Sequence, residues 1–281
     1  MGADRPRGGP PARGQGLTLT TPATGTTGPL LIAHDDEGSG PAVVLLHAGV
    51  ADRRMWAPVV ASLATDHRVV APDLRGFGDT PLPGEAYADA DDVVRLLDVL
   101  GIERASVVGA SFGGRVALEL ATRHPGRVVS LVLLCAAHRG LEVTDPVLLA
   151  FGEREDALLE TGDVEGATTL NVETWAGPDM TAEVRDDLAA MQRRAFEVQL
   201  AADELDPPPQ PERVEVDPAD VAAPTLVVSG AHDVQHFRDL AVLLARDIPG
   251  AVLVELDWAG HLPALERPHD TVALLRTRLG G

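Results

Sequence analysis

The chain contains no lysine and one cysteine, and only 3% of its 281 residues are aromatic. Without lysine it cannot form a Schiff base with a carbonyl substrate or pyridoxal phosphate, and it has no P-loop lysine. The single cysteine, Cys135, excludes an internal disulfide, and its apolar neighbours predict a buried strand position. All 23 basic residues are arginine, and the 43 acidic residues bring the net charge to −20. Such a surface repels phosphate groups, so we expect no nucleic-acid partner.

Long hydrophobic runs are also missing. No segment has the length of a membrane span, so we expect no membrane partner. Residues 1–28 are rich in Gly, Pro, Thr and Arg and lack the apolar stretch of a secretory signal, which predicts a disordered N-terminal tail. We therefore expect a cytoplasmic protein. The sequence leaves its oligomeric state open.

Short apolar runs alternate with amphipathic segments along most of the chain. The runs predict strands at residues 30–33, 42–46, 68–71, 105–108, 128–134, 225–228 and 251–255. The segments between them predict helices at residues 56–65, 90–100, 111–123, 237–246 and 269–278. Strands that are apolar on both faces and separated by helices predict an α/β fold with a mostly parallel central sheet and helices on both faces.

The alternation stops between residues 139 and 217. This stretch has no strong strand pattern, and residues 145–161 and 180–200 predict two helices. The proline-rich residues 207–211 predict a stiff extended connector. We interpret residues 139–215 as a helical cap inserted into a core of residues 29–138 and 216–281. Ligands of open parallel sheets bind at the carboxyl ends of the strands, so a cap there would cover the site.

A serine with glycines two residues before and after it follows the predicted strand at residues 105–108. Gly109 and Gly113 have no Cβ atoms, so a sharp strand-to-helix turn there can expose the hydroxyl of Ser111. The same pattern arises by chance in a chain with 28 glycines, but the strand before it and the helix after it favour a nucleophile.

A nucleophilic serine needs a base and an acid that orients the base. His261 follows the last predicted strand beside a glycine, and Asp233 follows the strand before it. These positions predict that His261 takes the proton of Ser111 and that Asp233 accepts a hydrogen bond from Nδ1–H of His261. Two alternatives stay open at this point: Asp233 as the N-cap of the next helix, and Asp257 as the acid.

The oxyanion of the reaction needs two backbone N–H donors. Phe112 directly follows the nucleophile at a helix N-terminus and is predicted to supply one. Gly49 is predicted to supply the other, with Val50 as the alternative. We predict that the substrate pocket above the serine is lined by Val50, Phe77, Trp175, Phe237 and Trp258.

Other candidate ligands are few. His232 and His236 are four residues apart, as metal ligands on a helix are, but no further ligand cluster accompanies them, so we expect no metal and no cofactor. Arg115, Arg193 and Arg194 are candidates for binding a substrate carboxylate, although arginines at such positions are more often solvated.

The chain order Ser111, Asp233, His261 resembles that of the α/β-hydrolase superfamily. Three further stretches resemble that superfamily's loops: the oxyanion segment at residues 47–49, the loop at residues 73–80, and the histidine loop at residues 260–263 and 266–268. Ala48 departs from the pattern, which usually has glycine there. The resemblance covers residue 30 to the C-terminus and is strongest to small cytosolic esterases and enol-lactonases of the 3-oxoadipate type.

The resemblance implies a cofactor-independent serine hydrolase that cleaves a small or medium carboxylic ester or lactone. Hydrolysis of a C–C bond, acyl transfer, and lyase or cyclase chemistry can use the same triad, and a non-catalytic ligand receptor can share the fold. Dehalogenases and epoxide hydrolases are disfavoured because they have aspartate where this chain has Ser111.

Overall fold

The computed structural model describes residues 30–279, and the tail predicted over residues 1–28 lies outside them. In chain order, the strands are β1 His34–Gly38, β2 Ala42–Leu46, β3 Arg68–Pro72, β4 Ala86–Tyr87, β5 Ala105–Ala110, β6 Val128–Leu134, β7 Gln210–Pro211, β8 Thr225–Gly230 and β9 Val252–Leu256. The helices are α1 Ala57–Leu63, α2 Asp89–Val99, α3 Phe112–Arg123, α4 Pro146–Glu160, α5 Val164–Trp175, α6 Ala182–Asp203, α7 Gln235–Asp247, α8 Pro263–Glu266 and α9 Pro268–Arg276.

Seven strands form the central sheet in the order β1-β3-β2-β5-β6-β8-β9. Only the edge strand β1 runs antiparallel to its neighbour within this sheet, and the remaining neighbouring pairs are parallel. Strands β4 and β7 form a separate parallel pair. Because β2, β5, β8 and β9 are parallel, the loops that follow them emerge at the same edge of the sheet. The predicted α/β fold with a mostly parallel central sheet is confirmed.

The sheet is covered on both faces. Val43 of β2 belongs to a core cluster with Leu63 of α1 and Leu275 of α9. Side chains alternate along a strand, so Val44 faces the opposite side, and it too is fully buried. Burial on both faces explains why these strands read as continuous apolar runs in the sequence.

The first predicted strand, at residues 30–33, is wrong. Ile32 is buried, but strand pairing begins only at His34, in the polar segment His34–Gly38. An edge strand pairs through its backbone and needs no apolar face, and Arg68 of β3 further binds Asp36 of β1 at 2.7 Å. The apolar run therefore identified a buried approach to the strand instead of the strand itself.

Between β6 and β7 the chain forms three helices, where the sequence predicted two. The predicted helices correspond to α4 and α6, and α5 was missed. Asp163 caps α5 by accepting a hydrogen bond from the Gly166 N–H at 2.8 Å, but the helix contains β-branched residues and an asparagine that weaken a helical pattern. We retain the division into a core and a cap at residues 139–215 as a proposal. None of the helices in residues 30–279 combines the length and the apolar character that crossing a membrane requires.

Candidate active site

Ser111 occupies the junction between β5 and α3 in a backbone conformation that non-glycine residues rarely adopt, with φ of 49° and ψ of −112°. A Cβ at Gly109 or Gly113 would collide with backbone atoms; on Gly113, for example, it would lie 2.6 Å from the carbonyl oxygen of His47. The two glycines therefore permit a tight turn that holds Ser111 under strain. Strain of this kind costs on the order of 1–3 kcal/mol and is concentrated at functional sites.

The three residues predicted to form a triad lie in one hydrogen-bonded chain. Nε2 of His261 is 2.8 Å from Oγ of Ser111, and Nδ1 of His261 is 2.9 Å and 3.0 Å from the two carboxylate oxygens of Asp233. The side chains of His261 and Asp233 are 4% and 1% exposed. Water therefore competes little for these bonds.

The partners determine the proton positions on the imidazole. An ionised carboxylate can only accept, so Nδ1 of His261 carries a proton and donates it to Asp233. Nε2 is then an acceptor, and the Ser111 hydroxyl donates to it. This is the arrangement a general base requires before it deprotonates a serine. One oxygen of Asp233 also accepts a hydrogen bond from the Val234 N–H at 2.7 Å. The carboxylate therefore also contacts the backbone just before α7.

The predicted oxyanion donors lie side by side. A Cβ on Gly49 would be 3.4 Å from Cβ of Phe112, which places the two backbones in adjacent positions. Within residues 30–279, no protein group accepts a hydrogen bond from the N–H of Phe112, Gly49 or Val50. The next N–H in α3, that of Gly113, donates to the His47 carbonyl at 3.0 Å. Free donors at a helix N-terminus are suited to bind a developing negative charge.

His47 holds the loop that follows β2. Its Nδ1–H donates to the Ala48 carbonyl at 2.8 Å, and its Nε2 accepts from the Leu74 N–H at 3.0 Å. Both ring nitrogens are thus occupied by backbone groups in the neutral state of the ring. Burial lowers the pKa of His47 below the usual histidine value, which favours the same neutral state. Ala48 is fully buried, so its methyl group fits where the superfamily usually has glycine.

The loop after β3 is braced by ion pairs. Asp73 is bound by Arg53 and accepts the Asp79 N–H at 2.9 Å, and burial raises the pKa of Asp73. Arg75 binds Asp92 of α2 at 2.5 Å and 3.0 Å, and both side chains are 4% exposed. These contacts support a structural role for Asp73 and Arg75.

Aromatic rings cover the imidazole of His261. The ring centroid of Phe237 lies 4.3 Å from that of His261, and the ring of Trp175 lies 4.7 Å from it. On the oxyanion side, the Phe77 ring is 5.7 Å from the ring of Phe112. Val50, in the loop after β2, is 5% exposed. The surroundings of the triad are therefore apolar and largely closed to solvent.

Trp258, which was also predicted to line the pocket, packs against an arginine. Its ring lies 4.9 Å below the guanidinium of Arg267, which in turn binds Asp179. Among the described residues, no ring contact joins Trp258 to His261. The two residues between them allow the histidine to turn toward Ser111 while the indole packs elsewhere.

Three residues near the triad were missed from the sequence. Phe151 of α4 packs edge-on against Trp175 at 5.2 Å. Asn171 of α5 accepts a hydrogen bond from Nε1–H of Trp175 at 3.2 Å and donates to Glu155 of α4 at 2.5 Å. Burial raises the pKa of Glu155, and the hydrogen bond from Asn171 opposes that rise. The spacing of four residues between Asn171 and Trp175 would have indicated one helix face, had α5 been predicted.

The three candidate arginines are engaged elsewhere. The guanidinium of Arg115 lies over the ring of Phe112 at 4.5 Å. Arg193 pairs with the exposed Glu165, and Arg194 donates to a backbone carbonyl in the loop after β3. Within the described part of the chain, none of these guanidinium groups bonds to a triad residue.

One set of possible metal ligands occurs within residues 30–279: Cys135, Asp233 and His261 offer atoms within 4.8 Å of one another. His232 and His236 do not belong to it. Burial and the charge of Asp233 raise the pKa of the Cys135 thiol well above its usual value. Asp233 and His261 of this set are already hydrogen-bonded to each other within the triad. We therefore retain the prediction that the site uses no metal.

The chain was compared with known protein families and with individual relatives. A profile of the alpha/beta hydrolase family matches residues 43–274. The 2-hydroxymuconate semialdehyde hydrolase of Pseudomonas putida is 31% identical over 85% of this chain and 82% of its own length. A protein of the same name from Pseudomonas sp. strain CF600 is 40% identical over 42% of this chain, and the match spans only 44% of that relative.

Solved structures with similar folds include esterases and lactonases. A thermophilic esterase from Thermogutta terrifontis superposes with a TM-score of 0.70 and 28% identity, covering 88% of this chain and 92% of that one. The enol-lactonase from Burkholderia xenovorans LB400 gives a TM-score of 0.68 and 25% identity, covering 88% and 95%. The family match covers most of the sheet and all of the residues that surround Ser111. The chain therefore belongs to the alpha/beta hydrolase family.

Proposed function

We propose that this protein is a cofactor-independent serine hydrolase that cleaves a small or medium carboxylic ester or lactone through an acyl-enzyme. The observation that carries the proposal is the continuous chain of hydrogen bonds from Ser111 through His261 to Asp233. Its serine is held in a strained turn beside the unpaired N–H groups of Gly49 and Phe112. A nucleophile, a base, an orienting acid and oxyanion donors are the groups that acyl transfer needs.

In the first half-reaction, Nε2 of His261 takes the proton of Ser111 as Oγ attacks the substrate carbonyl. The oxygen of the tetrahedral intermediate accepts hydrogen bonds from the N–H groups of Gly49 and Phe112. Asp233 stabilises the imidazolium through Nδ1–H. His261 then gives its proton to the leaving oxygen, and the bond between that oxygen and the acyl carbon breaks.

In the second half-reaction, His261 removes a proton from a water molecule that attacks the acyl carbon. The new tetrahedral intermediate uses the same donors, and its collapse releases the acid and returns the proton to Oγ of Ser111. All of these proton transfers pass through Nε2, because Nδ1 stays bonded to Asp233. No step requires a metal or an organic cofactor.

An apolar, closed site supports a small or medium uncharged substrate. Phe237 and Trp175 contact the imidazole, Phe77 contacts Phe112, and no guanidinium in the described chain bonds to the triad. The esterase and the enol-lactonase among the structural neighbours support the same class.

Hydrolysis of a C–C bond is the second candidate. It is favoured by the relative named 2-hydroxymuconate semialdehyde hydrolase, which matches 85% of this chain. The same triad can serve both reactions, so the residues do not distinguish them.

Turnover of p-nitrophenyl butyrate and of 2-hydroxymuconate semialdehyde by the wild type and Ser111→Ala tests the proposal. We expect the wild type to hydrolyse the ester with the higher kcat/KM and Ser111→Ala to lose at least about 10³-fold in kcat. Ester hydrolysis that survives in folded Ser111→Ala would overturn the mechanism. A higher kcat/KM for the semialdehyde would instead assign C–C hydrolysis.

A further inference from the structure

We propose that Asn171 is a positioning residue: by holding the indole of Trp175 against His261, it limits the size of the leaving group that the site accepts. Glu155 sets the orientation of the Asn171 amide. The inference rests on the proposed function, because it assigns a leaving group to the side of the site that His261 serves.

Side-chain contacts, and no strand, hold Trp175 in place. It is the last residue of α5, and its ring packs edge-on against Phe151 at 5.2 Å and Phe237 at 5.7 Å. The one hydrogen bond of the indole within residues 30–279 runs from its Nε1–H to Oδ1 of Asn171 at 3.2 Å. This bond selects one orientation of the indole, which the ring contacts alone do not specify as strictly.

The amide of Asn171 has only one orientation that satisfies its neighbours. Its Nδ2 donates to a carboxylate oxygen of Glu155 at 2.5 Å and to the Ala167 carbonyl at 3.0 Å. Both partners are acceptors, so the nitrogen must face them and Oδ1 must face the indole N–H. Asn171 is 4% exposed and is the only asparagine in the chain. A buried amide with each of its contacts matched is a rigid support for the ring.

The position of the indole relates it to the leaving group. His261 protonates the leaving oxygen from Nε2, so the leaving group must lie beside the imidazole ring. The Trp175 ring is 4.7 Å from that imidazole and therefore borders the space available to the leaving group. The acyl group is bonded to the carbon that Ser111 attacks, and it extends away from His261. A change in Trp175 should thus affect selection among alcohols more than selection among acids.

An NMR measurement that needs no substrate tests whether Asn171 holds the indole of Trp175. The chain has three tryptophans, so a ¹H–¹⁵N spectrum contains at most three indole N–H signals. Trp175→Phe identifies the Trp175 signal by removing it. In Asn171→Leu we expect that signal to shift and its exchange with water to become faster, because its acceptor is gone. An unchanged Trp175 signal in Asn171→Leu would overturn the inference.

A kinetic readout tests selectivity. We compare kcat/KM for ethyl and hexyl butyrate, and separately for p-nitrophenyl acetate and hexanoate. We expect Asn171→Leu and Trp175→Phe each to raise the hexyl-to-ethyl ratio about tenfold, a typical scale for discrimination in apolar pockets, and the ratio between the acyl groups to change less. The double variant should show no further increase, because both changes remove the same hydrogen bond.

Two further variants complete the design. Glu173→Leu makes a comparable change on the exposed face of α5 and should leave the alcohol ratio unchanged. Glu155→Gln keeps the side-chain volume but no longer fixes the amide orientation, so it should shift the ratio in the same direction and to a smaller extent. It also serves if Asn171→Leu does not fold.

Additive effects of Asn171→Leu and Trp175→Phe, or a larger change in the acyl ratio than in the alcohol ratio, would overturn the inference. Neither result affects the proposed function, which is tested separately by ester turnover in Ser111→Ala and by the comparison of the ester with the semialdehyde.

Discussion

Different kinds of contact stabilise two regions of the molecule: the sheet edge at Ser111 and the helices of residues 139–215. Backbone hydrogen bonds fix the serine: its N–H donates to the Leu134 carbonyl at 2.9 Å, and its own carbonyl accepts from the Ala137 N–H at 2.9 Å. In the helical segment, Trp175 is held by the side chains of Asn171 and Phe151. The first arrangement depends on strand pairing and on Gly109 and Gly113, where a Cβ would collide with the backbone, whereas the second depends on particular side-chain contacts.

This difference suggests a division of roles. Chemistry that must stay the same is placed where the backbone sets the geometry, and selection among substrates is placed where one substitution can change the geometry. Variants at the sheet edge should therefore alter kcat or stability strongly, and variants in residues 139–215 should mainly alter the choice of substrate.

The largest effect is expected at the sheet edge. Asp233→Asn replaces an acceptor by an amide that can donate to Nδ1 of His261, which favours the tautomer with a proton on Nε2. We expect kcat for p-nitrophenyl butyrate to fall about 10⁴-fold with unchanged thermal unfolding. A loss below tenfold would show that Asp233 acts only as a turn residue and that another acid serves His261.

The next largest effect is expected from deleting a buried ion pair in the core. A matched deletion in the helical segment is described last. Within residues 30–279, Arg75→Leu leaves the buried Asp92 with Arg95 as its remaining ion-pair partner. We expect the free energy of unfolding to fall by about 3 kcal/mol, the lower end for breaking a buried pair, because Arg95 still reaches the carboxylate. Urea denaturation measures this loss. A change under about 0.5 kcal/mol would mean that the loop after β3 needs no such brace.

A smaller, pH-dependent effect is expected at His47. Burial lowers the folded-state pKa of His47 below the usual value of 6.5, so below pH 6.5 the unfolded chain binds a proton that the folded chain resists. Stability from the neutral ring is therefore present above pH 6.5 and is lost as pH falls, with a slope of at most about 1.4 kcal/mol per pH unit.

His47→Gln removes this titration. Urea denaturation at pH 7, 6 and 5 should show the stability advantage of the wild type over His47→Gln shrinking toward acid. Parallel pH dependences in the two proteins would contradict a neutral His47 in the folded state.

The smallest effect belongs to the second member of the matched pair, in the helical segment. Arg193→Leu removes an ion pair with Glu165 whose side chains are 39% and 70% exposed. We expect the free energy of unfolding to change by about 0.5 kcal/mol or less. The values of kcat/KM for ethyl and hexyl butyrate should stay the same. A loss as large as that of Arg75→Leu would remove the distinction between the two regions.

Much of the sheet edge was predictable because its signals are local. Ser111, Asp233 and His261 each follow an apolar strand, and the carboxyl ends of parallel strands meet at one edge, so strand order alone brings the three together. The predicted neighbours Phe112 and Gly49 follow from the same strand ends. The polar edge strand β1 was misplaced because its pairing uses backbone groups and leaves no pattern in the side chains.

The helical segment was less predictable because its contacts join distant residues. Nothing near Glu155 indicates that its partner is Asn171 of the next helix, and Phe151 shows no sign of its contact with Trp175. Trp258 is close to His261 in sequence, but its indole packs against Arg267, so its place in the pocket stays a prediction.

The central claim is that Ser111 is a nucleophile activated by His261. Intact-mass spectrometry after treatment with a fluorophosphonate ester tests it directly, because that reagent bonds covalently to an activated serine whatever the natural substrate. We predict a single adduct on the wild type that maps to Ser111, no adduct on Ser111→Ala, and much slower labelling of His261→Ala. A folded wild-type protein that stays unlabelled, or equal labelling of Ser111→Ala, would contradict the account.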